Sequence, residues 1–110
     1  MKASQLGEFE EIVLLTVGIL HGNAYGVTIR DEIEEQLGRS VTVGGLQTTL
    51  KRLESKGLLA ANTGDGTEIR AGRPKLYFTL TLSGKKALDQ SREARDKLWN
   101  ALPQIILNLK

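Results

Sequence analysis

The sequence predicts a mostly α-helical fold with one small β-hairpin, an α+β arrangement in one compact unit. Three observations predict it. Apolar residues recur at helical spacing in three successive segments up to Gly57. The period then changes, and Leu76, Phe78 and Leu80 alternate with Tyr77 and Thr79 behind a segment rich in turn residues. From Thr81 onward helical spacing returns and persists almost to the end of the chain.

The first helix is expected from Leu6 to Leu20, with Phe9, Ile12, Val13, Thr16, Ile19 and Leu20 on one broad inward stripe and Glu8 and Glu11 on its polar back. Leu14 falls off that stripe, beside Gly18 one turn on. Either it is a single exposed leucine, or the two residues form a smooth second face against another helix. His21-Gly22-Asn23 has turn chemistry, with Asn23 as the expected cap of a second helix over Ala24 to Gln36. Tyr25, Ile29, Ile33 and Leu37 are expected inward, and Gly38 ends the helix. Asp31, Glu32, Glu34 and Glu35 make its outer face acidic, a solvated face rather than acid–base machinery, since no nucleophile or histidine sits at ligand spacing. Such a face repels phosphates, so only the start of the helix, with Asn23, Tyr25 and Thr28, is placed to offer amides or hydroxyls to one.

The third helix runs between Thr42, a capping hydroxyl, and Gly57, a left-handed stop. Leu46, Leu50 and Leu53 share its inner stripe. At about 100° per residue, Gly44, Gln47, Thr48, Lys51, Arg52 and Ser55 face the other way. These six include two cations, several hydrogen-bonding side chains and no carboxylate, which suits a helix lying in the major groove of DNA; an ordinary solvated face is the plainer alternative. The connection Arg39-Ser40-Val41 is short enough to force a steep crossing with the second helix, as in a helix-turn-helix.

Leu58 to Asn62 and Leu76 to Leu80 are the two expected strands. The loop between them, about Thr63 to Pro74, is longer than a tight hairpin needs. It carries Arg70 and Arg73, with Lys75 just beyond: a wing laying cations along a phosphate backbone, or a surface loop with scattered charge diluted by Asp65 and Glu68. The last helix starts at the capping Thr81 and extends to about Leu102. Leu88, Leu98, Trp99 and Leu102 form its stripe, Pro103 ends or kinks it, and Ile105, Ile106 and Leu109 continue the apolar content. One helix projecting from so small a domain cannot bury this surface on its own core, so a homodimer is expected, with Leu14, Gly18, Leu88, Leu98, Trp99, Leu102 and Ile106 at the interface. Residues 1–80 are thus expected to bind DNA and residues 81–110 to join subunits.

Charge supports an anionic partner. Residues 1–38 hold two cations against seven acids, whereas residues 39–86 hold nine cations against three acids, within a net charge of only +2. The absence of cysteine excludes disulfides, thiolate nucleophiles and cysteine zinc sites. One histidine, no glycine-rich phosphate loop and no metal-ligand spacing argue against an enzyme and against any cofactor. No apolar run is long enough to span a membrane and no signal peptide is recognisable, so a cytoplasmic protein is expected.

Several of these stretches resemble the PadR family of bacterial transcriptional regulators. They are residues 6–15 (LGEFEEIVLL), Ala24-Tyr25-Gly26, residues 50–58 (LKRLESKGL), residues 72–78 (GRPKLYF) and Leu80-Thr81-Leu82-Ser83-Gly84. The likeness implies a winged helix-turn-helix that binds double-stranded operator DNA as a homodimer, often as a repressor answering to a small-molecule effector. By the same likeness, the first and last helices make the dimer, and Trp99 either lines an effector pocket or packs in the interface. One departure is visible. Where the family usually has tyrosine followed by proline early in the recognition helix, this chain has Gln47 and Thr48. Gln47 can pair bidentately with adenine, which points to a different operator preference. Gly44 and Gly45 each cost about 1 kcal/mol of helix propensity against alanine. Close backbone approach to DNA explains them, as does the tolerance of a first turn. A winged helix used only for protein–protein contact is the alternative function.

Overall fold

The computed structural model describes residues 6–63, 69–70 and 73–110, with 69, 70, 73 and 74 described by their backbone. Its elements in order are α1 (Glu8–Ile19), α2 (Gly26–Leu37), α3 (Val43–Ser55), β1 (Leu59–Asn62), β2 (Ile69–Arg70), β3 (Arg73–Pro74), β4 (Tyr77–Leu80), α4 (Leu82–Asn100) and α5 (Gln104–Leu107). The arrangement is the expected one: three helices, a hairpin, and a long closing helix.

Each boundary has a local cause. Thr42 accepts a 3.0 Å hydrogen bond from the Gly45 amide at the start of α3. At its end Gly57 takes φ +78°. The Leu58 amide then donates to Leu53 O (3.0 Å) and the Gly57 amide to Glu54 O (2.9 Å), closing a Schellman motif over two buried leucines. Gly38, at φ +61°, ends α2 in the same left-handed region and releases the chain into the turn before α3. The cap of α2 differs from the expectation. Asn23 is not its N-cap; Tyr25 is, and its amide donates to Thr28 Oγ1 at 3.0 Å. The Thr28 hydroxyl in turn donates to Asn23 O at 2.7 Å, so it is engaged inside the fold rather than offered to a phosphate.

The core sits where α1, α2 and α3 meet the hairpin. Val13, Leu14 and Val17 pack with Ile29 and Ile33, with Leu46, Leu50 and Leu53, and with Leu59, Phe78 and Ala87. Each fully buried side chain of this size stabilises the fold by about 1.5–3 kcal/mol. The expected α1 stripe is rotated. Leu14 is 0% exposed and belongs to the domain's own core, so it is not part of an outward mating surface. Ile19, expected inward, is exposed, as is Leu15, while Gly18 stands open beside them. Four consecutive apolar residues, Ile12 to Leu15, leave the phase of the helix ambiguous, and packing against α2 and α3 resolves it. Leu37 and Leu76 are likewise exposed rather than inward.

β1 and β4 pair antiparallel with Ala61 opposite Phe78, and β2 pairs with β3 further out. The hairpin is tied to the helices at both ends. The Phe78 amide donates to Ala24 O (2.8 Å) and the Thr81 amide to Leu58 O (3.2 Å). Thr81 also caps α4, accepting from the Gly84 amide at 3.0 Å while its hydroxyl donates to Gly57 O at 2.7 Å. Gly84 lies against the Leu58 carbonyl so closely that a Cβ there would collide with it. Beyond Ala87 and the half-buried Leu88, α4 leaves the body. The radius of gyration is 16.5 Å, against about 13 Å for a compact chain of this length, which reflects that projection. α4 ends at Asn100, two residues before the expected limit, because Pro103 has no amide to continue the ladder and restricts the residue before it.

Candidate nucleic-acid interface

α3 presents Gly44, Gln47, Thr48, Lys51, Arg52 and Ser55 to solvent, with Thr49 and the three leucines beneath. Glu54 stands at the margin of this face. A Cβ on Gly44 would meet nothing within 4 Å, so the backbone of the first turn is bare on the outside. Gly45 is different: a Cβ there would stand 2.8 Å from Thr42 Oγ1 and disturb the cap. Its presence therefore has a structural reason, and the Thr42 hydroxyl serves the helix start.

Two other elements converge beside this helix. Tyr25, half-buried at the start of α2, meets the Tyr77 ring edge-on with centroids 5.3 Å apart. Lys75 Nζ sits 4.4 Å from the centre of the Tyr25 ring, a cation–π contact. Gln47 Nε2 lies 3.6 Å from where a Cβ on Gly26 would stand, so the glutamine amide rests against the first turn of α2. Tyr25, Gln47 and Lys75 are thereby gathered from three elements at one place. The side chains of Arg70 and Arg73, expected on the wing, lie outside the described residues; Lys75 is the wing cation whose position is described.

The other end of α3 holds a group that hydropathy patterning does not reveal. Glu10, on α1, is buried. Its Oε1 accepts the Gly7 amide at 2.9 Å, its Oε2 accepts Lys56 Nζ at 2.9 Å, and Arg52 Nη1 lies 4.0 Å away. Burial pulls the pKa of this carboxyl upward. The Gly7 amide, the Lys56 ammonium and the Arg52 charge outweigh that pull and hold it below its ordinary value. A carboxylate with a depressed folded-state pKa contributes stability that is fully present above its unfolded pKa and lost as pH falls through the folded one. The sequence signal was a glutamate three residues after Gly7, the spacing of half a capping box. Nothing local pointed to Lys56.

Two further α1 carboxylates reach other elements: Glu8 pairs with Arg39 at 3.1 Å and Glu11 with Arg95 at 3.1 Å. Arg39 also stacks 5.3 Å over the Phe9 ring. It borders a shallow cleft of about 250 Å³ lined by Phe9, Val41, Thr42 and Leu46 at the start of α3. Among the described residues no group of acidic or histidine side chains could hold a metal ion, and no helix is long and apolar enough to cross a membrane.

Two packed helices joined by a short turn, the second exposing a basic face and followed by a hairpin, define a winged helix-turn-helix. The chain belongs to the transcriptional regulator PadR-like family, which matches residues 14–90. That family is one of transcriptional regulators, not enzymes. Solved structures agree. The fold is similar to RosR of H. salinarum (26% identity, TM-score 0.73, covering 94% of this chain and 86% of that one). It is similar to a PadR family transcription regulator of Clostridium difficile (28%, 0.64, 86% and 97%). It is also similar to Bacillus subtilis PadR, solved in complex with operator DNA (27%, 0.59, 74% and 46%). No curated protein matches the chain.

Proposed function

We propose that this regulator binds double-stranded operator DNA as a homodimer and represses by occupying the site. The observation that carries the reading is the exposed, acid-free outer face of α3 with Tyr25 and Lys75 converging beside it from two other elements. In this reading α3 enters the major groove. Gln47 and Thr48 face base edges, Lys51 and Arg52 meet phosphates, and the bare backbone at Gly44 allows close approach. Tyr25 and Lys75 hold the strand flanking the groove, with Arg70 and Arg73 further along the wing. The operator complex of the Bacillus subtilis relative supports the DNA partner.

The dimer is supported by the arm. Leu98, Trp99, Ile105 and Leu109 are each at least 64% exposed on α4 and beyond, a surface that a second subunit would cover. Gly18 with its exposed neighbours Leu15 and Ile19 supplies the α1 side in place of Leu14, and Leu88, Leu102 and Ile106 complete the stripe. Residues 1–80 would thus read DNA and residues 81–110 join subunits, as parts of one unit working in the cytoplasm. The effector implied by the family likeness would act on this interface, where Trp99 serves by packing.

Binding to a duplex selected by the protein from a randomised pool, and to a mixed-sequence duplex, tests the reading across a salt series. Lys51→Ala should weaken both by a similar factor and reduce the salt slope by about one counterion. Gln47→Ala should instead cost about 1–3 kcal/mol on the selected duplex alone. Equal, salt-independent affinities in all three proteins would sink the assigned face.

A further inference from the structure

Glu10 is an expensive residue to keep where it is. Taking a carboxylate out of water is costly before its partners are counted. A neutral amide oxygen would also accept the Gly7 amide, less strongly, so the cap at the start of α1 rewards only part of the charge. What the charge adds lies at the far end of α3. Lys56 is the residue that closes this helix, and its ammonium is bound 2.9 Å from Glu10 Oε2. Arg52, one turn earlier on the outer face, stands 4.0 Å from the same oxygen with its side chain 52% exposed. One buried oxygen therefore binds Lys56, whose side chain is 41% exposed, and leans on Arg52, while Lys51 is left free of any carboxylate contact among the described ion pairs.

We infer that Glu10 is a positioning residue for recognition: it locks the last turn of α3 onto α1 and withholds Lys56 from phosphate, so that the duplex meets the outer face in one orientation. The inference rests on the DNA-binding reading. Phosphate contacts reward any exposed cation regardless of sequence, and each one adds to non-specific binding. Specificity is the ratio of selected to unselected affinity, so a cation held back at the end of the reading helix raises that ratio. A helix pinned at its C-terminal turn also has less freedom to roll in the groove, which keeps Gln47 aligned with its base.

The test is Glu10→Gln, which retains volume and an acceptor for Gly7 but frees Lys56. On the mixed-sequence duplex the salt slope should steepen by about one counterion and affinity should rise severalfold. The ratio of selected to mixed affinity should fall about tenfold, within what one misaligned base contact costs. The double variant Glu10→Gln/Lys56→Gln should return the slope to the wild-type value with the ratio still low. A purely structural glutamate would lower the melting temperature and leave slope and ratio where they were, and that result overturns the inference. Should Glu10→Gln fail to fold, Lys56→Gln alone decides. The charge it strands on Glu10 should capture Arg52, flattening the mixed-duplex slope and lowering the ratio, and an unchanged pair of values refutes the proposal. Wild-type protein that selects no duplex would overturn the DNA-binding reading and this inference with it, an outcome distinct from a wild type that binds while Glu10→Gln behaves identically.

Discussion

The winged-helix body and the C-terminal arm are built from similar proportions of apolar residues, yet they use them in opposite ways. In the body, leucines, isoleucines and valines from three helices and two strands close on one another, and seven of the eight largest fully buried side chains come from α1, α2 and α3 at positions fixed by caps and turns. From Asp89 to Lys110 no residue is buried, although this stretch contains Leu98, Trp99, Leu102, Ile105, Ile106, Leu107 and Leu109. The same hydrophobic effect acts on both. The body satisfies it within the chain; the arm touches α1 through Arg95 and Glu11, but its apolar side chains from Leu98 onward stay uncovered by the described residues. Stability is thus a property of the body, and in the proposed dimer it is the arm that would supply association.

The largest effect should come from breaking the arm where it is most exposed. Trp99 is 64% exposed and Leu98 73% exposed. A buried aromatic anchor at an interface is worth about 2 kcal/mol or more, and a two-fold axis uses it twice, so Trp99→Ala should weaken dimerisation roughly a thousandfold. Leu98→Asp should leave only monomers at working concentration. Sedimentation checks both, and the body should keep its helical circular dichroism and its melting cooperativity. A dimer indifferent to both substitutions would mean that the arm's apolar face serves something other than self-association.

The junction of the two regions gives the next effect. Gly84 sits where α4 leaves the hairpin, and a side chain there collides with the Leu58 carbonyl and approaches Leu80 Cδ1 to 2.8 Å. The carbonyl cannot yield without disturbing the Schellman turn that ends α3, so Gly84→Ala should cost about 1–3 kcal/mol by overpacking. A lower denaturant midpoint at unchanged slope is the expected observation. Because the same shift tilts the arm, dimerisation should weaken with it. A variant as stable as the parent would show that α4 is free to slide on the body.

The contrast also explains which features were legible in the sequence. α3 was readable from Thr42 to Gly57 because its caps and its leucine stripe are local, and the same holds for Thr81 at the start of α4. α1 was readable as a helix but not in its phase. Ile12, Val13, Leu14 and Leu15 all satisfy a hydropathy test, and only the presence of α2 and α3 decides that Leu14 goes inside while Leu15 and Ile19 stay out. Glu10 defeats patterning altogether, since its place in the interior depends on Lys56, 46 residues away. The gathering of Tyr25 with Lys75 depends likewise on the hydrogen bond between Phe78 and Ala24, a tertiary contact with no signature in either segment. At the start of α2 the competition was local: Thr28 returns to the Tyr25 amide, and Asn23 is left outside the cap.

The smallest effect concerns the one described ion pair that ties the arm back to the body. Arg95 reaches Glu11 at 3.1 Å, with the arginine side chain 61% exposed and the glutamate 18%. Two attachments could set the direction of the arm: this bridge, or the packing and hydrogen bonds around Thr81 and Gly84 one end away. Exposure decides between them. A pair open to solvent on one side contributes about 0–1 kcal/mol and is screened by salt, whereas Thr81 contributes hydrogen bonds to the Gly57 carbonyl and from the Gly84 amide at a close-packed contact. Arg95→Ala should therefore move the melting temperature by a few degrees at most and shift the dimer dissociation constant less than tenfold, with the difference vanishing in high salt. A larger loss that persists in high salt would place Arg95 inside the subunit interface, dry and paired across it, and would make the charge on Glu11 rather than the anchorage at Gly84 the feature that aims the arm.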